Sequence, residues 1–282
     1  MRADRTLSNS MFRVVKNFCI INLSVDRRKR RRTNYIVKIA LLIPSYNQLP
    51  WGLTTQQKIA QCCEKLRREG LRAVIVFVDD GSTQNSTELE YHIENLQSIG
   101  KCEVFATKHN VNRGQGAALM TALDIARSGI VGAELFVTLD SDGQHDPDDI
   151  FTLLKELRLK NLNIVFGNRF SNELETSKTI PFLRKFLLRT ASLFERVLTG
   201  LKLTDAHNGF RLFDLKTALS LNLRQDRMAH ATEIKQRVRD LKLKYGEAPV
   251  RIYYTTESTM RGQKNTNSFN ILRELFQGWL FQ

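Results

Sequence analysis

A chain of 282 residues, 42% hydrophobic and 26% charged, carries enough apolar content for one sizeable α/β core and is not a disordered polymer. Its four cysteines, Cys19, Cys62, Cys63 and Cys102, have neither C-x-x-C spacing nor histidine partners at zinc-finger distances, so no disulfide framework or metal knuckle is indicated and a reducing cytosol fits. No apolar run approaches the roughly 18–20 residues of a membrane span, and the longest near the start, Phe18 to Leu23, is interrupted by Asn22.

The net charge of +14 is uneven. Ten Lys or Arg stand in residues 1–32, six of them in the run Arg27-Arg28-Lys29-Arg30-Arg31-Arg32, against Asp4 and Asp26. Such a block binds anionic lipid headgroups or nucleic acid, or stays a solvated tail because like charges repel. Residues 1–34 are therefore set apart as a basic leader.

From Val37 the pattern alternates between apolar runs and helical periodicity. Strands are expected at Val37–Pro44, Ala73–Asp80, Cys102–Lys108, Glu134–Asp140 and Asn163–Gly167. Helices are expected at Thr54–Glu69, ended by Gly70, at Arg113–Arg127 and at Pro147–Lys160. Continuous apolar strands separated by helices predict an α/β fold, with a mostly parallel sheet covered on both faces. Pro181–Thr199 reads as an amphipathic helix with a cationic face, a second helical pattern runs from Glu233 to Lys242, and Tyr245–Tyr254 reads as a further strand. The last segment, Phe269–Phe281, places Trp and Phe at helical spacing and suits an interfacial helix or a protein-binding face.

In a parallel sheet the carboxyl ends of the strands share one edge, where α/β proteins place their chemistry. That edge would gather Pro44-Ser45-Tyr46-Asn47, Asp79-Asp80-Gly81-Ser82-Thr83, the small-residue helix start Arg113-Gly114-Gln115-Gly116, and Asp140-Ser141-Asp142-Gly143-Gln144. Two carboxylates at i and i+2 on a strand tip can share one divalent cation, and an all-oxygen set of Asp140, Asp142 and Gln144 suits Mg²⁺ or Mn²⁺. A lone D-x-D is otherwise an ordinary helix-capping turn. Backbone N–H groups at a glycine-rich helix start suit a phosphate, so Gly116 is expected to let a diphosphate approach.

These residues together resemble the family 2 glycosyltransferases with the GT-A fold, in particular the dolichyl-phosphate mannose synthase and polyprenyl-phosphate glycosyltransferase subgroup. The matching motifs are PSYN at 44–47, VDDGST at 78–83, NRGQGAAL at 112–119, LDSDGQHDP at 139–147, GNRF at 167–170 and DAHNGFRLF at 205–213, in family order over about residues 38–265. The resemblance implies one GT-A domain over 35–255, followed by a closing loop and amphipathic helix over 256–282. It implies a nucleotide-sugar site at Pro44, Tyr46, Asn47, Asp79, Asp80, Asn112 and Gly116, and a metal at Asp140, Asp142 and Gln144. Arg169 would face the reacting phosphates or the acceptor, Asp205 and Arg211 the acceptor side, and Arg261 and Lys264 would close over the donor phosphates. The chain departs from the family in Gln48, where Glu is usual, and Gln115, where Lys is common.

The implied reaction is an inverting transfer of a hexose from a UDP- or GDP-sugar. A polyprenyl phosphate acceptor is already ionised near neutrality and needs no base, whereas a glycan hydroxyl would need one, for which Asp205 and Glu233 are the candidates. A non-catalytic nucleotide-sugar-binding scaffold is the competing class. Expected partners are the donor, a polyprenyl phosphate, an anionic membrane surface and a small membrane-anchoring protein, with no nucleic acid. The expected place is the cytoplasmic face of a membrane, held peripherally.

Overall fold

The computed structural model describes residues 37–47, 53–83, 93–94, 96, 102–129, 131–171 and 182–253, with helical residues 53–56 and 182–188 described as backbone alone. Among them seven strands form one sheet: β1 (Val37–Ser45), β2 (Leu71–Asp79), β3 (Glu103–Lys108), β4 (Leu135–Thr138), β5 (Ile164–Asn168), β6 (Arg211–Asp214) and β7 (Tyr245–Pro249). Their order is β3-β2-β1-β4-β6-β5-β7. All neighbours run parallel except β6, which is antiparallel to both β4 and β5.

The central strands are apolar throughout because both faces are covered. Ile39 to Ile43 are fully buried, and the pleat sends alternate residues to opposite cores. Ile39, Leu41 and Ile43 join Ile75, Phe77 and the inner faces of α1 (Leu53–Arg68) and α3 (Ile150–Leu159). Ala40 and Leu42 join Val74 and Val76 against α2 (Gln115–Arg127) and α6 (His230–Asp240). On α2 the buried residues Ala118, Ala122 and Ala126 leave room for the helix to lie close to the sheet. Gly70, at φ 73°, ends α1 in the left-handed conformation that glycine adopts without a Cβ penalty.

Sequence reading missed β6 and the short helix α5 (Leu215–Ser220), because a four-residue strand beside a glycine turn gives too few alternations to register. Inside the sheet, β6 is anchored by Phe213, which stacks on its β4 partner Phe136 at 5.7 Å and 11°. The expected helix at Pro147–Lys160 splits into a 3₁₀ turn, Pro147–Asp149, capped by the Asp146 carboxylate, followed by α3. The strand expected to run to Asp140 stops at Thr138, and the backbone N–H of Asp140 turns to His145 Nδ1 at 3.2 Å. The strand expected over Tyr245–Tyr254 stops at Pro249. Helix α4 (Phe182–Thr199) forms where its amphipathic pattern placed it. The basic leader, Gln48, Arg261, Lys264 and the C-terminal amphipathic segment lie outside the described residues.

Candidate active site

Because β6 is antiparallel, the loop before it opens on the same edge as the ends of the parallel strands. The edge therefore gathers four segments: the ends of β1 and β2, the β3–α2 loop, the Asp140–Asp146 loop, and Asp205–Phe210 beside Arg169.

At the first segment, Asn47, held at φ 50°, donates its backbone N–H to Ser82 Oγ at 2.7 Å, while its side-chain oxygen accepts Thr83 N–H at 3.1 Å. Pro44 is buried within β1 and Tyr46 is 43% exposed, leaving its ring open on the edge. The two β2 carboxylates are both 2% exposed and engaged in the scaffold. Asp79 accepts Ser82 N–H at 2.8 Å and lies 3.4 Å from Lys108 Nζ. Asp80 accepts Arg113 N–H at 3.0 Å, Gly114 N–H at 2.6 Å and the Asn112 amide at 2.9 Å, and pairs with His109 at 2.7 Å. Asp80 and Asn112 thus shape the β3–α2 loop, the segment expected to meet the nucleotide.

The glycine-rich helix start packs closely against a second stretch of backbone. A side chain at Gly114 would strike the Asp226 carbonyl, and one at Gly116 the Gln225 carbonyl. Ala117 N–H donates to that Asp226 carbonyl at 3.0 Å. The glycines therefore admit the backbone of residues 225–226. Glu233 holds this arrangement: it accepts Arg224 N–H and Gln225 N–H, each at 2.9 Å, from the first turn of α6, which starts at His230 rather than at Glu233.

The third segment is the D-x-D. Asp140 Oδ1 accepts the Gln115 amide at 3.1 Å, and a side chain on Gly209 would meet both Asp140 oxygens. His145, stacked on Phe210 at 5.0 Å, accepts Asp140 N–H through Nδ1, which leaves its proton on Nε2, 3.7 Å from Asp140 Oδ2. Burial lowers its pKa, so it remains a neutral donor. Asp142 accepts Gln144 N–H at 3.0 Å, and its pKa is raised to about 6, first by burial and then by the charge of Asp140. Arg169 opposes that rise.

Arg169 is set by Asp205, whose Oδ2 accepts its backbone N–H at 3.0 Å and its Nε–H at 2.6 Å; Asp205 is 1% exposed. Arg211 was expected at the acceptor side but is 3% exposed on the α2/α6 face of β6. Burial lowers its pKa, offset by Asp140, Glu195 and Asp205, and its Nε has no hydrogen-bond partner. It is a buried cation at the start of β6, opposite Thr138 at the end of β4. His207 Nε2 is likewise buried without a partner. Gln115, His145 and Gly209 were overlooked as D-x-D contacts, although all three stand inside the matched motifs.

Among the described residues no group of three or more His, Cys, Asp or Glu converges as a metal cage, and no helix is long and apolar enough to cross a membrane. A mixed, mostly parallel sheet with a D-x-D on its carboxyl edge defines a transferase of the GT-A fold. The chain belongs to glycosyl transferase family 2, whose pattern matches residues 40–218. It is 31% identical, over 84% of its length and 94% of the relative's, to the UDP-N-acetylglucosamine–dolichyl-phosphate N-acetylglucosaminyltransferase of Methanococcus voltae. It is 24% identical, over 66% of its length and 70% of the relative's, to the undecaprenyl-phosphate mannosyltransferase of Micrococcus luteus. In fold it is similar to glucosyl-3-phosphoglycerate synthase of Mycobacterium tuberculosis, solved with Mn²⁺ and UDP, at a TM-score of 0.51 and 12% identity, covering 78% of this chain and 72% of that one.

Proposed function

We propose that the protein transfers a hexose from a UDP- or GDP-linked donor to a polyprenyl phosphate, inverting the anomeric centre. The observation that carries this reading is the Asp140–Asp142 pair, two carboxylates on one loop of which one has its pKa raised to about 6 by burial and by the other's charge. Such a pair is relieved by a cation. Its hard oxygens suit Mg²⁺ or Mn²⁺, and a cation held by one or two carboxylates leaves positions for phosphate oxygens. The bound ion would neutralise charge developing on the departing nucleoside diphosphate.

The chain's own residues do the rest. Gln115, His145 and Gly209 fix Asp140, and Gln144 N–H orients Asp142. Arg169, aimed by Asp205, supplies a cation to the reacting phosphates. The exposed ring of Tyr46 offers a face for the nucleotide base.

A phosphate acceptor is favoured because neither candidate base is available. Asp205 is buried against Arg169, and Glu233 is held by backbone donors of residues 224–225. An ionised phosphate needs only to be positioned and desolvated. The named activities of the relatives from Methanococcus voltae and Micrococcus luteus support the same class. On α4, Leu193 and Val197 are 60% and 78% exposed alongside the exposed Arg189 and Arg196, which suits contact with an anionic membrane carrying the acceptor.

The test is a transfer reaction with UDP- and GDP-sugars, Mn²⁺ or Mg²⁺, and a polyprenyl phosphate in detergent, with the lipid fraction analysed by mass spectrometry. A hexosyl-phosphoryl lipid that disappears with chelator is expected. Release of nucleoside diphosphate without that lipid would move the acceptor to a hydroxyl.

A further inference from the structure

A buried ion pair lies beneath the edge. Lys235 on α6 and Glu195 on α4 are each 1% exposed, and their charges meet at 2.8 Å. Thr232 Oγ1 donates to Glu195 Oε1 at 2.6 Å. Burial pushes Lys235 down to about 8, with Glu195 opposing the fall and Arg211 adding to it. A pair this deep is a poor source of stability, since apolar residues of the same volume often serve as well or better. What apolar residues cannot do is hold a carbonyl, and Lys235 Nζ also donates to the Ala206 carbonyl at 2.8 Å.

That carbonyl lies in the loop that touches both halves of the site. Ala206 N–H is taken by Ser192 Oγ of α4 at 3.1 Å, so both backbone groups of this residue are pinned from the α4–α6 side. On one side of it, Asp205 aims Arg169. On the other, the Gly209 carbonyl accepts Thr138 Oγ1 at 2.5 Å while its Cα abuts the Asp140 carboxylate, and Phe210 stacks on His145.

We propose that Lys235, with Glu195 as its buried counter-ion, is a positioning residue for the transfer site: by holding the Ala206 carbonyl it fixes the Asp205–Phe210 loop and through it sets Arg169 and Asp140. The kinetic part of this inference rests on the transferase reading. The positioning part does not. Lys235 touches neither donor nor acceptor, so its loss leaves nucleotide affinity in place and misplaces groups that act in the transfer step, where a displacement of about 1 Å can cost on the order of 100-fold.

Two arms test it. In the kinetic arm, Lys235→Met is expected to lower kcat about 100-fold while the donor KM stays within about threefold, as for a group that acts on the transition state rather than on ground-state binding. The single variant leaves Glu195 buried without its counter-ion and is expected to melt lower. The double variant Glu195→Leu/Lys235→Met removes both charges and should regain the wild-type melting temperature without regaining kcat. A double variant whose kcat recovers together with its stability overturns the proposal, because the pair would then serve folding alone. Ser192→Ala, which releases only the other side of Ala206, guards against the case in which Lys235→Met does not fold; a kcat loss of roughly tenfold or less at unchanged KM is expected, and wild-type kcat counts against the loop mechanism. The second arm needs no turnover. Solvent exchange of the Arg169 Nε–H, followed by ¹⁵N NMR, should be slow in the wild type and accelerate at least about tenfold in the double variant, in keeping with loss of a buried, charge-assisted bond. Unchanged exchange overturns the positioning role. An inactive wild type with accelerated exchange in the variant would instead overturn the transferase reading and leave Lys235 as the residue that sets Arg169.

Discussion

Replacing Asp142 by Asn should make the metal-free protein more stable while abolishing its function, and the structure gives the size. The ordinary aspartate pKa of 3.8 is raised in the folded chain to about 6. Between those values the folded protein keeps a proton that the unfolded chain has released, so stability falls as pH rises through this window and the penalty is fully present at pH 7. A shift of this size corresponds to at most about 3 kcal/mol. Asn keeps an oxygen for Gln144 N–H but loses the charge-assisted part of that bond, which reduces the expected net gain to roughly 1–2 kcal/mol. For a domain of this size that is a rise of about 3–6 °C in Tm in chelator at pH 7, vanishing near pH 4. With Mn²⁺ and UDP or GDP the order should reverse. Ligands at 100 times their Kd stabilise by about 2.7 kcal/mol, and only the wild type should show this. Differential scanning fluorimetry across pH 4–8, with and without metal, reads all of it. A variant that melts lower than wild type in chelator at pH 7 would show that Asp142 is a structural turn residue and that the strain inferred here is not real.

Gly209→Ala places a methyl group against the Asp140 carboxylate, so metal-dependent stabilisation and transfer should both be lost, with transfer down by about 100-fold or more; an active variant would remove Asp140 from the site. Glu233→Gln should keep transfer within about threefold with an unchanged pH profile, while lowering stability by roughly 1 kcal/mol, as measured by urea titration; loss of activity with retained stability would restore Glu233 as a base. Leu193→Asp together with Val197→Asp should leave the melting temperature within about 2 °C and weaken sedimentation with anionic vesicles at least about tenfold, since both residues are exposed. Equal binding by wild type and variant would move the membrane contact off α4.

How much of this was legible beforehand depended on whether a residue's partners lay nearby in the chain. The strand series was readable because β1 and β2 are apolar on both faces, and the end of α1 because Gly70 follows it. The D-x-D was readable because both carboxylates and Gln144 lie within one turn. The antiparallel strand β6 was not, since its identity rests on pairing with β4 and β5, residues that are remote in sequence. For the same reason the close neighbour of Gly116 is read from sequence as a phosphate. A glycine-rich helix start announces that some backbone comes close, and only the fold reveals that it is the backbone of Gln225 and Asp226. Glu233 followed: as a free acid at a helix start it suggested a base, and its three backbone hydrogen bonds make it a clamp.

The acidic residues of this edge divide by what they accept. Asp79, Asp80 and Glu233 take backbone N–H groups of loops, and Asp205 takes both the backbone and the side chain of Arg169. Each of these carboxylates holds a neighbouring segment of the protein in place, Asp205 through Oδ2 alone. Asp140 and Asp142 differ, because the Asp140 carboxylate accepts only the neutral Gln115 amide and abuts Gly209, while Asp142 has one backbone donor and a neighbouring negative charge. Two guanidiniums act on them: Arg169, which opposes the rise at Asp142 but is tied to Asp205, and the buried Arg211, whose charge Asp140 supports. An α/β edge that sets four acids to hold its own loops and leaves an adjacent pair in mutual repulsion suits a positive charge from outside the chain. That asymmetry, more than the presence of a D-x-D motif, supports the proposed action on a nucleotide diphosphate and its metal.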